Sequence, residues 1–232
     1  MVNGDNVMLL KDLKINFLGD SITEGAGASV YDNCFVKLIE KETGAVCRNY
    51  GIGGTRIAKQ AVSSKEPIYD KDFCSRIGEM EKNADIIAVF GGTNDFGHGD
   101  APIGEITDNT PDTFCGALNY LYKNLIKEFP NAFIFVITPL HRADEDNPFG
   151  EGDKAAKGLL LYQYVEMIKE AANRFSLPVL DLFANSGIYP ANLAHRAKYT
   201  ADGLHPNDLG HKIIANSIIN FIENNAKQRI FD

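Results

Sequence analysis

Four stretches far apart in the chain carry side chains that could together run acyl-transfer chemistry. The first is Leu18-Gly19-Asp20-Ser21-Ile22-Thr23-Glu24-Gly25, which follows an apolar segment of strand length. Gly19 would let the backbone turn sharply there. A serine hydroxyl is a weak nucleophile until a neighbouring base takes its proton. A candidate base stands in Thr200-Ala201-Asp202-Gly203-Leu204-His205-Pro206-Asn207, where Asp202 precedes His205 with Gly203 between them. One tight turn over that spacing can bring the carboxylate to the imidazole, fixing its tautomer and stabilising the imidazolium. Read alone, the same pattern also spells a helix N-terminal turn in which Asp202 caps backbone amides. His141, His195 and His211 have no carboxylate at comparable spacing in such a turn, and read as structural or surface residues.

The third requirement is a set of donors for a developing oxyanion. Asn49-Tyr50-Gly51-Ile52-Gly53-Gly54-Thr55-Arg56 is a glycine-dense turn that exposes backbone N–H groups, and either Gly53 or Gly54 could supply one. Gly91-Gly92-Thr93-Asn94-Asp95 presents an amide side chain, Asn94, at the end of another strand. Asp20 and Asp95 read as turn-stabilising carboxylates. Thr23, Glu24 and Arg56 are near enough to matter, without a role that the residue types assign; His98, four residues beyond Asn94, could line the pocket but reads more readily as a surface histidine. No phosphate-binding pattern of the G-x-x-x-x-G-K-[ST] kind or of the G-x-G-x-x-G kind is present.

These stretches need strands to carry them. Strand-like runs fall at 14–18, 45–50, 86–90, 132–138 and 178–182. The third and fourth are apolar without alternation, as in strands with helices over both faces. Between them, Phe114, Leu118, Leu121, Leu125 and Phe129 form one helical stripe within 111–129, and Leu161, Val165, Ile168, Ala172 and Phe175 another within 154–175. A last helix is expected over 206–224, with Pro206 in its first turn. Strands alternating with helices predict a parallel sheet with right-handed crossovers. The 232 residues are expected to form one domain, with 1–12 a loosely ordered lead-in. Two longer loops, 95–112 and 141–153, leave strand ends on the Ser21 side, where they could wall a substrate site.

The four motifs in this order resemble those of the SGNH hydrolases, also called GDSL-type esterases and lipases. Gly19-Asp20-Ser21-Ile22 is similar to the first family block, with Ile22 where leucine is typical. Asn49 followed by Gly54, then Gly92-Thr93-Asn94-Asp95, then Asp202-Gly203-Leu204-His205-Pro206, are similar to the remaining three. The resemblance implies a three-layer, flavodoxin-like α/β/α sandwich around a five-stranded parallel sheet. It also implies carboxylic ester hydrolysis without metal or cofactor. Ser21 would be the nucleophile, His205 the base and Asp202 its orienting acid. The Ser21 amide, the Gly54 amide and the Asn94 side chain would form the oxyanion hole.

Bulk properties set the remaining expectations. A net charge of -8 and a pI near 5.2 argue against nucleic acid or an anionic membrane surface as partner. The expected partner is a small-molecule ester, and the polar, glycine-containing loops favour a small or short-acyl substrate, such as an acetyl ester, including those of carbohydrates. A thioester or a lysophospholipid is the alternative within the same fold. A non-catalytic nucleotide- or anion-binding module of flavodoxin type is a more distant one. Cys34, Cys47, Cys74 and Cys115 are scattered without metal-ligand spacing, and Cys47 reads as a buried thiol. Met8-Leu9-Leu10 is too short an apolar run for a secretory leader, and no stretch is long enough to span a membrane, so a cytoplasmic location is expected. No heptad or apolar stripe predicts an oligomeric state.

Overall fold

The computed structural model describes residues 10–151 and 158–226. Five strands form one parallel sheet: β1 (Lys14–Gly19), β2 (Val46–Gly51), β3 (Ile86–Phe90), β4 (Phe133–Ile137) and β5 (Val179–Leu180). Their spatial order is β2-β1-β3-β4-β5. Every residue of β3 and β4 is buried. Because successive side chains of a strand point to opposite faces, Ile87, Val89, Ile134 and Val136 enter one core, while Ile86, Ala88, Phe90, Phe133, Phe135 and Ile137 enter another. A strand apolar at every position therefore needs cover on both sides.

Helices supply it. On the first face lie α4 (Phe114–Glu128) and α5 (Leu161–Arg174), through Phe114, Leu118, Leu121, Leu125, Leu161 and Ile168. On the second lie α2 (Phe35–Thr43) and α8 (Asp208–Asn225), through Phe35, Ile39, Ile214, Ile218 and Ile222. Full burial of each such side chain contributes about 1.5–3 kcal/mol. The result is the three-layer α/β/α sandwich with a five-stranded parallel sheet. The chain moves outward from β1 in one direction and from β3 in the other, so a crevice opens beyond the C-terminal ends of these two strands. The short helices α1 (Ser21–Glu24) and α3 (Thr93–Gly97) start at that crevice.

Several expectations shift. α5 begins at Leu161, and Lys154 lies outside the described residues. β5 is only two residues long, because Asp181 caps α6 (Leu182–Asn185) by accepting the Ala184 N–H at 3.0 Å. Pro206 is not in the first turn of α8. Asn207 is the cap, accepting from the Leu209 and Gly210 amides at 3.1 Å each, and Pro206 forms an antiparallel bridge with Thr200. Residues 1–9 of the proposed lead-in lie outside the described residues. Leu10 is fully buried and the Asp12 N–H donates to Gly44 O at 3.0 Å, so its last residues are packed against the fold. Cys47 is half-buried rather than buried, and burial pushes its thiol up to about 12. No helix among the described residues is long and apolar enough to cross a membrane.

Candidate active site

Ser21 owes its position to the end of β1. Asp20 caps α1, its Oδ1 accepting the Ile22 N–H at 3.0 Å. Ser21 is then the first helical residue, whose N–H has no intrahelical acceptor and faces outward. Gly19 is required by closeness rather than by an unusual turn: a Cβ there would stand 1.9 Å from Thr23 Oγ1. Asp20 itself is buried, and that burial pushes its carboxyl up to about 6 against the opposing pull of the Ile22 N–H, His205 and Arg76.

The base arrives from the other end of the chain. The loop closed by the bridge between Thr200 and Pro206 is tied internally by Ala201 N–H to His205 O at 2.8 Å and Gly203 N–H to Thr200 Oγ1 at 3.0 Å. Within it, Asp202 does both jobs that its spacing allowed. Oδ1 accepts the Leu204 and His205 amides at 2.9 and 2.8 Å, while Oδ2 accepts from His205 Nδ1 at 2.6 Å. Partial burial works against the Asp202 charge, but these bonds outweigh it and hold the carboxyl below its usual range. With its Nδ1–H donating to Asp202, His205 turns the lone pair of Nε2 toward Ser21 Oγ, 3.0 Å away. Gly27 lets the loop after α1 close on this turn: its φ is +89°, and a Cβ would lie 2.3 Å from Pro206 O. Behind that loop, His211 accepts the Phe35 N–H at Nδ1 and donates from Nε2 to Ala26 O, and burial depresses its pKa.

The loop after β2 offers one free amide. The Gly53 N–H is committed to Glu24 Oε2 at 2.9 Å, whereas the Gly54 N–H has no acceptor among the described residues. Asn94, buried in α3, donates one Nδ2 hydrogen to Thr55 O at 2.9 Å and keeps the second. Its Oδ1 lies 3.2 Å from His98 Nε2. The Asp95 carboxylate accepts the Ile57 and Ala58 amides at 2.9 and 3.0 Å, which anchors the segment after Gly54 to α3. Two buried guanidinium groups flank the same segment. Arg56 donates from Nη1 to Gly54 O at 2.8 Å, with His98 Nδ1 at 3.4 Å. Arg76 is a neighbour of the site that sequence reasoning missed. It lies in an irregular stretch without periodicity, and its acceptors are backbone carbonyls that no motif announces.

Beside Gly54 is a cavity of about 630 Å³ lined by Glu24, Arg56, Ser64, Tyr69 and His98, among others. The loop 141–153 is bound to this end of the sheet over its described part: Ala143 N–H donates to Gly203 O at 2.8 Å, Glu151 N–H to Gly97 O at 2.7 Å, and Arg142 pairs with Glu151. His141 pairs with Glu145 at 2.8 Å within that loop, and His195 lies in α7 (Leu193–Tyr199), so neither joins Ser21.

A hydroxyl, an imidazole and a carboxylate in sequence, with three N–H donors on the loops around them, have the geometry for nucleophilic acyl transfer. Comparison with known proteins agrees in kind. No curated protein matches the chain at a significant level. A solved protein from Lactobacillus plantarum is 28% identical, with 93% of this chain and 98% of that one covered and a TM-score of 0.77. The lipase/acylhydrolase from Enterococcus faecalis (20% identity, 91% and 96% covered, TM-score 0.64) has the same fold. So does an acetyl xylan esterase (22% identity, 90% and 100% covered, TM-score 0.61). The sequence model of the GDSL-like lipase/acylhydrolase family matches residues 17–213. The chain belongs to the GDSL-like lipase/acylhydrolase family.

Proposed function

We propose that this chain is a serine hydrolase of carboxylic esters, with Ser21, His205 and Asp202 as its catalytic residues. Family membership supports ester hydrolysis in general. The single observation that carries the finer reading is the alignment of Ser21 Oγ, His205 and Asp202 through contacts of 3.0 and 2.6 Å. His205 Nε2 takes the hydroxyl proton as Oγ attacks the acyl carbon, and Asp202 stabilises the resulting imidazolium. The Ser21 amide, the Gly54 amide and the free Asn94 Nδ2 hydrogen receive the oxyanion, each worth ~3 kcal/mol in the transition state. His205 then protonates the leaving alcohol, and water repeats the cycle on the acyl-serine.

The substrate is a small or short-acyl ester with polar surroundings, such as an acetyl ester of a carbohydrate. The cavity beside Gly54 supports this reading, since Glu24, Arg56, Ser64 and His98 line it along with Ile52, Ile68 and Tyr69. The acetyl xylan esterase that shares the fold is consistent with it. Ser21→Ala should abolish hydrolysis of p-nitrophenyl acetate while its circular dichroism and melting temperature stay those of the parent. Retained turnover in that variant rules out Ser21 as nucleophile. Rates on a panel of acyl lengths, thioesters, lysophospholipids and acetylated sugars then fix the substrate class.

A further inference from the structure

We propose that Arg76 is a positioning residue that holds the three oxyanion donors in one frame, working through Thr55. The inference rests on the hydrolase reading above. Arg76 is 2% exposed and every one of its guanidinium nitrogens donates a hydrogen bond. Nη1 donates to Tyr50 O at 2.5 Å, Nη2 to Gly19 O at 3.1 Å and to Thr55 Oγ1 at 3.0 Å, and Nε to Asp72 O at 3.4 Å. The cation also lies 4.8 Å from the centre of the Phe73 ring.

These acceptors are not scattered. Gly19 O belongs to the residue that ends β1, one step before the cap that presents the Ser21 amide. Tyr50 O belongs to the end of β2, from which the Gly53–Gly54 turn departs. Thr55 follows Gly54 and closes that turn, its N–H and its hydroxyl both donating to Ile52 O, at 3.3 and 2.7 Å. The Thr55 carbonyl in turn accepts the Asn94 amide at 2.9 Å. One planar fork therefore touches the supports of Ser21 N, Gly54 N and Asn94 Nδ2 together. A lysine ammonium fills similar space but cannot reach three acceptors in one plane.

Placement of a charge here is costly, which argues that it does more than fill volume. Burial pulls the Arg76 pKa down to about 10, with Asp20, Glu79 and Asp72 opposing. Among the described residues no carboxylate forms a salt bridge with it, and its bonds go to backbone carbonyls and one hydroxyl. Packing of the sheet does not need them, because β1 and β2 already pair along six residues. What lies beyond the last pair, Gly19 with Gly51, is the donor-bearing loops.

The test uses the full chain with Thr55→Val and Arg76→Lys. Three quantities are read: kcat and KM on p-nitrophenyl acetate, the inhibition constant of phenylboronic acid, which forms a tetrahedral adduct on serine, and the melting temperature. Misplaced catalytic groups cost up to about 100-fold. Arg76→Lys should therefore lose about 100-fold in kcat and Thr55→Val about 10-fold, each with KM within about threefold of the parent. The boronic acid should weaken in step with kcat, an effect that loosened packing alone would not produce. Thr55→Val deletes a hydroxyl from a side chain of equal shape and decides the matter if Arg76→Lys does not fold. A folded Thr55→Val with parental kcat and boronate affinity, or with a raised KM alone, overturns the proposal. A parent chain that turns over no ester and takes no fluorophosphonate at Ser21 overturns the hydrolase reading, and the role of Arg76 with it.

Discussion

Asp202→Asn conserves side-chain volume and can conserve both backbone bonds that Oδ1 accepts from Leu204 and His205. It then changes only the group that faces His205 Nδ1, now 2.6 Å from Oδ2. An amide NH2 in that place cannot accept, so the ring must move its proton to Nε2 and point a donor at Ser21 Oγ. Rotating the amide to offer oxygen instead sets its NH2 against two backbone N–H groups. Both arrangements deprive Ser21 of its base. Where the carboxylate is well enclosed, such a change costs about 10,000-fold in kcat, or about 5 kcal/mol. Here the Asp202 side chain is 52% exposed, so water can replace part of what is lost. The expected loss is therefore about 1,000-fold, or about 4 kcal/mol. Stability should fall by at most about 1 kcal/mol, because the cap survives. Initial rates on p-nitrophenyl acetate from pH 6 to 9, with thermal melts in parallel, make the measurement. A folded variant within about tenfold of the parent throughout that range would refute the assignment of Asp202 as the group that orients His205.

Asn94→Ala should lower kcat by about 100- to 1,000-fold with KM little changed if its amide acts on the developing oxyanion as proposed; a rise in KM alone would count against that role. The raised Asp20 pKa, about 6 against 3.8, means that the unfolded chain releases this proton first as pH rises. Stability from this group is therefore lost between those values, on the order of 3 kcal/mol, and Asp20→Asn should melt higher than the parent at pH 7 and show a smaller decline from pH 4 to 6. His211 has the opposite sign. Its depressed pKa makes the unfolded chain bind the proton first below 6.5, so stability falls as pH drops through that value. Melts of His211→Gln from pH 5 to 7.5 should lack that component of the slope.

Much of this architecture could be read from pattern. β3 and β4 announced themselves by unbroken apolar runs, and α4 by an apolar stripe in helical register, because burial dictates residue type at those positions. Ser21, Asn94, Asp202 and His205 could be named because each sits in a short local motif whose spacing has a chemical reason. The sequence was silent where structure depends on partners remote in the chain. α7 escaped notice, α2 was foreseen only as a helical pattern after the loop 25–28, and α8 was given a start two residues too early because proline at a first turn is only a preference, which the Asn207 cap overrode. The choice between Gly53 and Gly54 depends on where the Glu24 carboxylate goes, since its bond to Gly53 leaves the neighbouring amide open. Arg76 could not be found at all: its hydrogen bonds reach back 57, 26 and 21 residues to groups every residue possesses or that look like ordinary turn chemistry.

The sequence separation of 184 from Ser21 to His205 also has a temporal meaning. At about 5–20 residues per second, a ribosome that has made the serine needs roughly 10–40 s to deliver the histidine. During that interval the nascent chain carries a hydroxyl that nothing in the finished site yet activates. On the proposed mechanism, reactivity is thereby withheld until the histidine has been made, a timing that proteins whose nucleophile and base are close neighbours in the chain do not share.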